Sequence, residues 1–254
     1  MDSVPYDFAV QVNGLLSSTS AEPLIHLIEG TWQSQTKRRF ERTFCFYFGH
    51  AAREVYYSVE PSDFDFHRDR FAQIQNVCFS ISGISDFDDI LLTPSILKQF
   101  QAFFQQSRYA VNEFYAFDDD ISSHPSVQAI ENSLQSITST IVIRNPPFFR
   151  SLLRKTKDSF ICATLPESLE NEVIAGIGEG RFRCFECNIS KDRRSFYKNL
   201  LKKLSSLGKG GTLTIHSTFS PFISNNKLDF AKWRVTEEHD ERISYHLKWS
   251  MSES

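Results

Sequence analysis

The feature that most constrains this fold is a repeating unit of a short strand, a loop, a helix that begins with proline, and another strand. The prolines are Pro94, Pro125, Pro146 and Pro166, and a proline in the first helical turn leaves no hydrogen bond unmade. The unit recurs at intervals of about 20 to 35 residues, which is typical of α/β solenoids. Strand–helix–strand order also predicts parallel neighbours joined by right-handed crossovers. The predicted strands are Val77–Ser82, Asn112–Phe117, Thr138–Arg144, Ser159–Thr164, Phe182–Cys187 and Thr212–His216.

The alternation of residue types along these strands separates two possible architectures. Val77 and Phe79 alternate with Cys78 and Ser80, and central strands of a doubly wound sheet would instead be apolar throughout. The alternation favours a leucine-rich-repeat-like β/α horseshoe, with helices on one side of the sheet, over the doubly wound alternative. The same alternation occurs in two further strands. In the strand at 138, Ile141 and Ile143 alternate with Thr140, Val142 and Arg144, and in the strand at 212, Leu213 and Ile215 alternate with Thr212, Thr214 and His216.

Hairpins are predicted at both ends of the repeat. The aromatic and β-branched runs Phe44–Phe48 and Val55–Val59 are separated by a short loop that contains glycine. Lys232–Val235 and Ile243–Trp249 predict a second antiparallel hairpin that closes the sheet. Between them, a fifth helix is expected from about residue 190 to Gly208.

Composition and charge exclude several functional classes. Lys+Arg number 28 against 31 Asp+Glu, for a net charge of -3, which argues against a nucleic-acid partner. No stretch reaches the roughly 18 apolar residues that span a bilayer, and no lysine or arginine precedes an apolar run at the N-terminus. Five scattered cysteines are typical of reduced, buried thiols. We therefore expect a cytoplasmic or nuclear protein with no membrane partner.

The sequence presents no complete metal or cofactor site. Cys184 and Cys187 form a C-x-x-C inside a predicted strand, so their thiols are expected on opposite faces, and no further zinc ligands lie nearby. The glycine-rich stretches at 176–180 and 208–211 follow helices and precede strands, the reverse of a phosphate loop, and we expect them to cap the C-termini of those helices. We expect no metal and no cofactor.

Acidic clusters after two strands support an alternative, enzymatic interpretation. Asp118 and Asp120 follow the strand at 112, and the stretch 114–122 resembles the nucleophile motif of haloacid dehalogenase-like phosphatases. This resemblance implies a magnesium-dependent phosphohydrolase that uses those two aspartates. Solvated acids near helix N-termini are the simpler explanation, since the helix dipole favours negative charge there. A second cluster is formed by Asp86, Asp88 and Asp89.

The N-terminal 36 residues form a unit of their own. Two apolar helical stripes, each with a proline in its first turn, flank a serine-rich break and end at Trp32, and so short a unit cannot bury both stripes alone. With its Met-Asp-Ser-Val-Pro-Tyr opening, the segment resembles a degenerate F-box of the nematode F-box-like protein family. The resemblance implies docking on a Skp-type linker subunit of a cullin-RING ubiquitin ligase, whereas a solenoid cap is the alternative. The implied linker contacts are Val4, Pro5, Phe8, Val12, Leu24, Ile28 and Trp32.

The sequence thus predicts an α/β protein with an F-box-like segment over 1–36 and a β/α repeat domain over 40–254. The leading functional hypothesis is a non-enzymatic adaptor that recruits an unknown protein substrate to a ubiquitin ligase. The magnesium phosphohydrolase and a structural scaffold without a ligase link are the alternatives. From strand alternation, the substrate-binding residues on the open sheet face are predicted to be Ser80, Ser82, Tyr115, Arg144, Thr214 and His216.

Overall fold

The computed structural model of the chain describes residues 22–26, 42–51, 53–69, 72–80, 90–117, 119–144, 146–182 and 184–188. It also describes the backbone at 211–217, 233–239 and 243–249, and the separate positions 12, 16, 30, 33, 34, 36, 37, 196 and 199. These residues have a mixed α/β fold. The chain divides into two compact units, one of residues 1–139 with 146–148 and the other of residues 140–145 with 149–254. Within the described residues, no helix has the length and apolar character that a membrane span requires.

The first unit contains an antiparallel hairpin and parallel strands. β1 pairs with β2 in antiparallel register from Cys45–Glu60 to Ala51–Glu54, which confirms the predicted N-terminal hairpin. β1 pairs in parallel with β3, β3 in parallel with β5, and the edge strand β4 antiparallel with β2. The order is therefore β4-β2-β1-β3-β5. The elements are β1 (Thr43–Ala51), β2 (Glu54–Glu60), β3 (Gln73–Phe79), β4 (Ile90–Leu91), α1 (Pro94–Gln106), β5 (Val111–Ala116), α2 (Asp119–Ser122) and α3 (Pro125–Ser133).

Two helices of this unit begin where the prolines predict. Pro94 is the first residue of α1, and the Thr93 hydroxyl accepts the N–H of Ile96 at 3.4 Å. At the start of α3, the Nδ1 atom of His124 accepts the N–H of Ser126 at 3.2 Å. Each cap satisfies a backbone donor that the first helical turn leaves without a partner.

One face of the sheet packs against α1 almost entirely through phenylalanine. The centroid of the fully buried Phe46 ring lies 5.1 Å from that of Phe64 and 5.7 Å from that of Phe100, both at 88°. Edge-to-face ring pairs of this kind contribute about 0.5–1.5 kcal/mol beyond the area they bury. We call this set the phenylalanine core; its members are Phe44, Phe46, Phe48, Phe64, Phe66, Phe79, Phe100, Phe103, Phe104 and Phe114.

A loop between β2 and β3 completes the phenylalanine core. It contributes Phe64 and Phe66, and it is held by the carboxylate of Asp69, which is 3% exposed. Asp69 accepts hydrogen bonds from Arg42 Nε and Nη2, both at 3.0 Å, and from Arg68 Nη2 at 3.1 Å. Its buried negative charge is therefore paired with two cations, which such burial requires.

The second unit contains the later strands. β7 pairs in parallel with β8, β8 in parallel with β9, and β11 lies antiparallel between β9 and β10. The order is β6-β7-β8-β9-β11-β10, so the predicted C-terminal hairpin is confirmed. The elements are β6 (Ile137–Val142, which begins in the first unit), α4 (Phe149–Lys155), β7 (Thr156–Cys162), α5 (Glu170–Gly178), β8 (Cys184–Asn188), β9 (Gly211–Ser217), β10 (Trp233–His239) and β11 (Ile243–Trp249).

Several predicted boundaries in this unit shift. α4 begins at Phe149, three residues after Pro146, and α5 is preceded by a 3-10 turn over Glu167–Leu169. α5 ends at a glycine cap as predicted, since Gly180 has φ 68° and donates its N–H to the Ile177 carbonyl at 2.9 Å. The fifth helix lies outside the described residues, apart from helical positions 196 and 199.

The face alternation predicted for β6 is wrong. Thr140 and Val142 are buried, whereas Ile143 is 47% exposed. The buried hydroxyl of Thr140 is satisfied because it lies 2.6 Å from the Thr156 hydroxyl, which donates to the Leu152 carbonyl at 2.8 Å. A threonine whose hydroxyl is hydrogen-bonded in this way can be buried like an apolar residue. The alternation of residue types along one strand does not show that such a hydrogen-bond partner exists.

We expect Phe46→Ala to lower the free energy of unfolding by about 3–5 kcal/mol, because it leaves a cavity at the centre of the phenylalanine core. Phe117→Ala is the control, since this side chain is only half-buried and its loss should cost about 1 kcal/mol. Urea unfolding followed by circular dichroism measures both. Equal losses in the two variants would contradict the central role of Phe46.

We expect Asp69 to make stability depend on pH. Burial, the largest single effect, raises the pKa of Asp69, but hydrogen bonds from Arg42 and Arg68 outweigh it and the pKa is lowered. A carboxylate whose folded pKa is depressed stabilises the fold above its unfolded pKa of about 3.9, and this contribution disappears as the pH falls through the folded pKa.

The test of Asp69 is urea unfolding between pH 7 and pH 2. Asp69→Asn should cost about 2 kcal/mol at pH 7 and lose less stability than the unsubstituted protein as the pH falls below about 4. Asp63→Asn, which removes a carboxylate that is 56% exposed, should cost less than about 1 kcal/mol at pH 7. Parallel pH profiles for Asp69→Asn and the unsubstituted protein would refute the assignment.

Candidate functional site

The sheet of the first unit presents a polar face opposite the phenylalanine core. In β1 the buried phenylalanines alternate with half-buried Cys45 and Tyr47, and the strand register places the matching residues of β2, β3 and β5 on the same face. We call this the polar sheet face. Its members are Cys45, Tyr47, Gly49, Glu54, Tyr56, Ser58, Glu60, Asn76, Cys78, Ser80, Glu113, Tyr115 and Phe117.

The register arranges these side chains in rows that run across the strands. One row, from β2 to β5, consists of Ser58, Tyr47, Cys78 and Tyr115. The neighbouring row has a carboxylate at each end, and we call it the carboxylate row. In the same direction across the sheet, it consists of Glu60, Cys45, Asn76 and Glu113.

Three tyrosine hydroxyls on this face donate to glutamates of the same face. Tyr115 donates to Glu113 Oε2 at 2.5 Å, and its ring stacks on Phe117 with centroids 5.6 Å apart. Tyr47 donates to Glu60 Oε2 at 3.3 Å. The third pair, at the exposed end of β2, joins the Tyr56 hydroxyl to Glu54 Oε2 at 3.0 Å.

The surroundings keep tyrosine hydroxyls and cysteine thiols of this face protonated. Burial, followed by the hydrogen bond to Glu113, raises the pKa of Tyr115 to about 12, and burial is likewise the main reason that the pKa of Tyr47 is raised. Burial raises the pKa of Cys78 to about 11 and also raises that of Cys45. At neutral pH the tyrosines are therefore hydrogen-bond donors and the cysteines are thiols, not thiolates.

Two buried oxygens of this face lack a hydrogen bond within the described residues. These are Oδ1 of Asn76, in the middle of the carboxylate row, and Oγ of Ser58, whose residue is 5% exposed. A buried polar atom without a hydrogen-bond partner is unfavourable, and both atoms are covered by protein in this structure.

The described residues contain no group of three or more His, Cys, Asp and Glu side chains that would hold a metal ion. What the polar sheet face offers is half-buried aromatic rings beside carboxylates that accept hydrogen bonds. Tyrosine-rich surfaces of this kind are typical of binding sites for other molecules.

The predicted open-face residues divide between the two units. Ser80 and Tyr115 both lie on the polar sheet face, on the adjacent strands β3 and β5. Arg144 is exposed in a bend two residues beyond β6, so it belongs to neither face of that strand. In the second unit, Thr214 stands opposite Glu186 and His216 opposite Asn188 in the register of β8 and β9, while Ser82 lies outside the described residues.

Of the predicted linker contacts, the structure describes Val12 and Leu24, both half-buried. The carbonyl of Val12 accepts the N–H of Leu16 at 3.2 Å, which is one helical hydrogen bond, and Leu24 lies in a 3-10 turn over Glu22–His26. Helical residues also occur directly after Trp32, where the second predicted stripe ends. Those residues are Gln33, Ser34, Thr36 and Lys37, whereas Val4, Pro5, Phe8, Ile28 and Trp32 lie outside the described part.

The structure describes the acidic motif in part and the C-x-x-C completely. Asp120 is exposed in the four-residue helix α2, and Asp118 lies outside the described residues, as do Asp86, Asp88 and Asp89. Cys187 is buried and Cys184 is half-buried in β8, three positions apart and therefore on opposite faces, as predicted. All five cysteines are free thiols.

Comparison of the chain with protein-family models, with curated proteins and with solved structures finds no match.

Sequence reasoning missed most of the carboxylate row. Glu60 and Glu113 are separated by more than fifty residues, and nothing local to either indicates that their strands lie in one sheet. The available signal was Tyr47, the one hydroxyl-bearing residue of the run Phe44–Phe48, whose alternation with phenylalanine assigns it to the face opposite the core.

We expect Cys78 to resist alkylation in the folded protein. With a pKa of about 11, roughly one molecule in a thousand carries the thiolate at pH 8, and the side chain is buried as well. Iodoacetamide labelling at pH 8, mapped by mass spectrometry, should modify Cys78 at least tenfold more slowly in buffer than in urea. Equal rates in the two conditions would contradict both the burial and the raised pKa.

Proposed function

We propose that this protein is a non-enzymatic adaptor that uses its polar sheet face to bind a protein substrate and its N-terminal segment to dock on a Skp-type linker subunit. In this proposal it recruits the substrate to a Skp–cullin–F-box ubiquitin ligase in the cytoplasm or nucleus. The observation that carries the proposal is the set of three tyrosine–glutamate pairs on one sheet face.

The composition of that face supports protein binding. Tyr47, Tyr56 and Tyr115 are half-buried, so each keeps part of its ring available to a partner. Their hydroxyls are held by Glu60, Glu54 and Glu113, which limits the side-chain freedom that binding would remove. Rigid tyrosines beside acceptors are the residues that contribute most at protein interfaces.

Strand order supports a leucine-rich-repeat-like arrangement. In the first unit β1, β3 and β5 are adjacent and parallel, and in the second unit the neighbours β7, β8 and β9 are also parallel and follow chain order. Right-handed crossovers that always advance in one direction put their helices on one face of the sheet. We therefore propose a one-sided helical layer that leaves the opposite face open to partners.

The N-terminal segment is assigned to the linker subunit by its resemblance to a degenerate F-box. Its two apolar stripes and Pro5 would form the contact. The first stripe contains Val4, Phe8 and Val12, and the second contains Leu24, Ile28 and Trp32. A segment of about 36 residues is too small to bury these side chains by itself, so a docking partner or the repeat domain has to cover them.

The test is a binding experiment with a purified Skp-type subunit. We expect the full chain to bind it, and a chain lacking residues 1–36 to remain folded by circular dichroism but to lose binding. A full-length variant with Tyr115→Ala on the polar sheet face is the control, since its linker binding should be unchanged.

Three outcomes separate this proposal from its alternatives. Binding that requires residues 1–36 supports the adaptor. No binding by the full chain, together with loss of solubility on truncation, would mean that the segment is a solenoid cap and would refute the ligase link. Hydrolysis of a generic phosphoester in the presence of magnesium, abolished by Asp118→Asn, would instead support the phosphohydrolase.

A further inference from the structure

The carboxylate row has an acceptor-only group at each end, whereas Cys45 and Asn76 between them carry donors as well as acceptors. Glu60 and Glu113 stand at its ends, and the unpartnered Oδ1 atom of Asn76 lies between them. A carboxylate has about four acceptor positions, and one tyrosine hydroxyl occupies only one of them. Each glutamate therefore keeps acceptor capacity after its bond with Tyr47 or Tyr115 is made.

The charge of the polar sheet face has one sign. Glu54, Glu60 and Glu113 belong to it, and none of its thirteen members is a lysine or arginine. Ion pairs elsewhere in the unit neutralise carboxylates, as Arg42 and Arg68 do for Asp69, but Asp69 lies in the β2–β3 loop and not on this face. Among the described residues of this face, a positively charged partner would thus meet three carboxylates and no cation.

The aromatic rings of the polar sheet face also favour a positively charged partner. Tyr47 and Tyr115 stand two strands apart with Cys78 between them, so their backbones are about 10 Å apart. A guanidinium that approaches the carboxylates passes beside these rings, and its flat face stacks on aromatic rings.

We propose that the carboxylate row binds arginine side chains of the recruited protein, in an extended segment that lies across the strands. Arginine carries five donors and no acceptor, which complements the two acceptor-only carboxylates at the ends of the row. Glu60 and Glu113 are three strand spacings apart, about 14 Å, which matches residues i and i+4 of an extended segment. The inference rests on the proposed adaptor function and specifies the chemistry of its substrate.

The probe is a synthetic peptide, acetyl-Gly-Arg-Gly-Ser-Gly-Arg-Gly-amide, titrated into the full chain by isothermal titration calorimetry. We expect saturable binding, weakened at least threefold when salt rises from 50 to 300 mM, since part-exposed charge pairs are screened. The peptide with citrulline in place of both arginines has nearly the same shape but no charge, and it should not bind measurably.

Single substitutions locate the contact. Glu60→Gln and Glu113→Gln should each weaken binding of the arginine peptide about fivefold, because each removes a charge while keeping an acceptor. Glu54→Gln is the matched control, since Glu54 forms the same kind of pair with Tyr56 outside the carboxylate row, and its effect should stay below twofold. Circular dichroism and thermal unfolding verify that all three variants fold.

Two results would overturn the inference. One is equal binding of the citrulline and arginine peptides, and the other is a Glu54→Gln effect as large as that of Glu60→Gln, which would indicate general attraction to a negative surface. Linker-subunit binding without peptide binding would refute this inference and leave the adaptor proposal intact. Peptide binding without linker-subunit binding would support the arginine site and refute the ligase link.

Discussion

The phenylalanine core is the interaction on which the first unit depends. Five separate parts of the chain meet there: β1, β3, β5, α1 and the β2–β3 loop, with Phe46 in contact with rings from three of those parts. Ring pairs have defined contact geometry, so this core determines how α1 and the loop pack on the sheet. Asp69 and its two arginines hold the loop against the core, and this arrangement combines apolar burial with a paired buried charge.

The polar sheet face follows directly from that core. Because side chains alternate along a strand, burying phenylalanine on one face of β1 requires that Cys45 and Tyr47 point to the other. Parallel pairing with β3, and of β3 with β5, then brings Asn76 and Glu113 into the same row. The acceptor-rich surface proposed here as a binding site is thus a consequence of how the core is built, and its tyrosines are oriented by hydrogen bonds to glutamates of the same face.

Prediction from the sequence succeeded where the signal was local. The structure contains the helices that begin at Pro94 and Pro125, the two terminal hairpins and the glycine cap after α5. Each of these features depends on residues only a few positions apart. It failed in β6, where Thr140 is buried through a hydroxyl partner sixteen residues away, and at α4, which starts three residues after its proline. The assignment of residues 1–36 to an F-box-like segment remains a proposal.

The sequence by itself determined the mixed α/β class and the alternation of strands and helices, because both are encoded in periodicity and in proline or glycine positions. Only the tertiary structure decided which strands are neighbours, and therefore that Glu60, Asn76 and Glu113 share one row. The physical reason is that strand pairing joins backbone groups far apart in the chain, and these hydrogen bonds do not depend on which side chains the residues have. Such a site is visible only when the register is known.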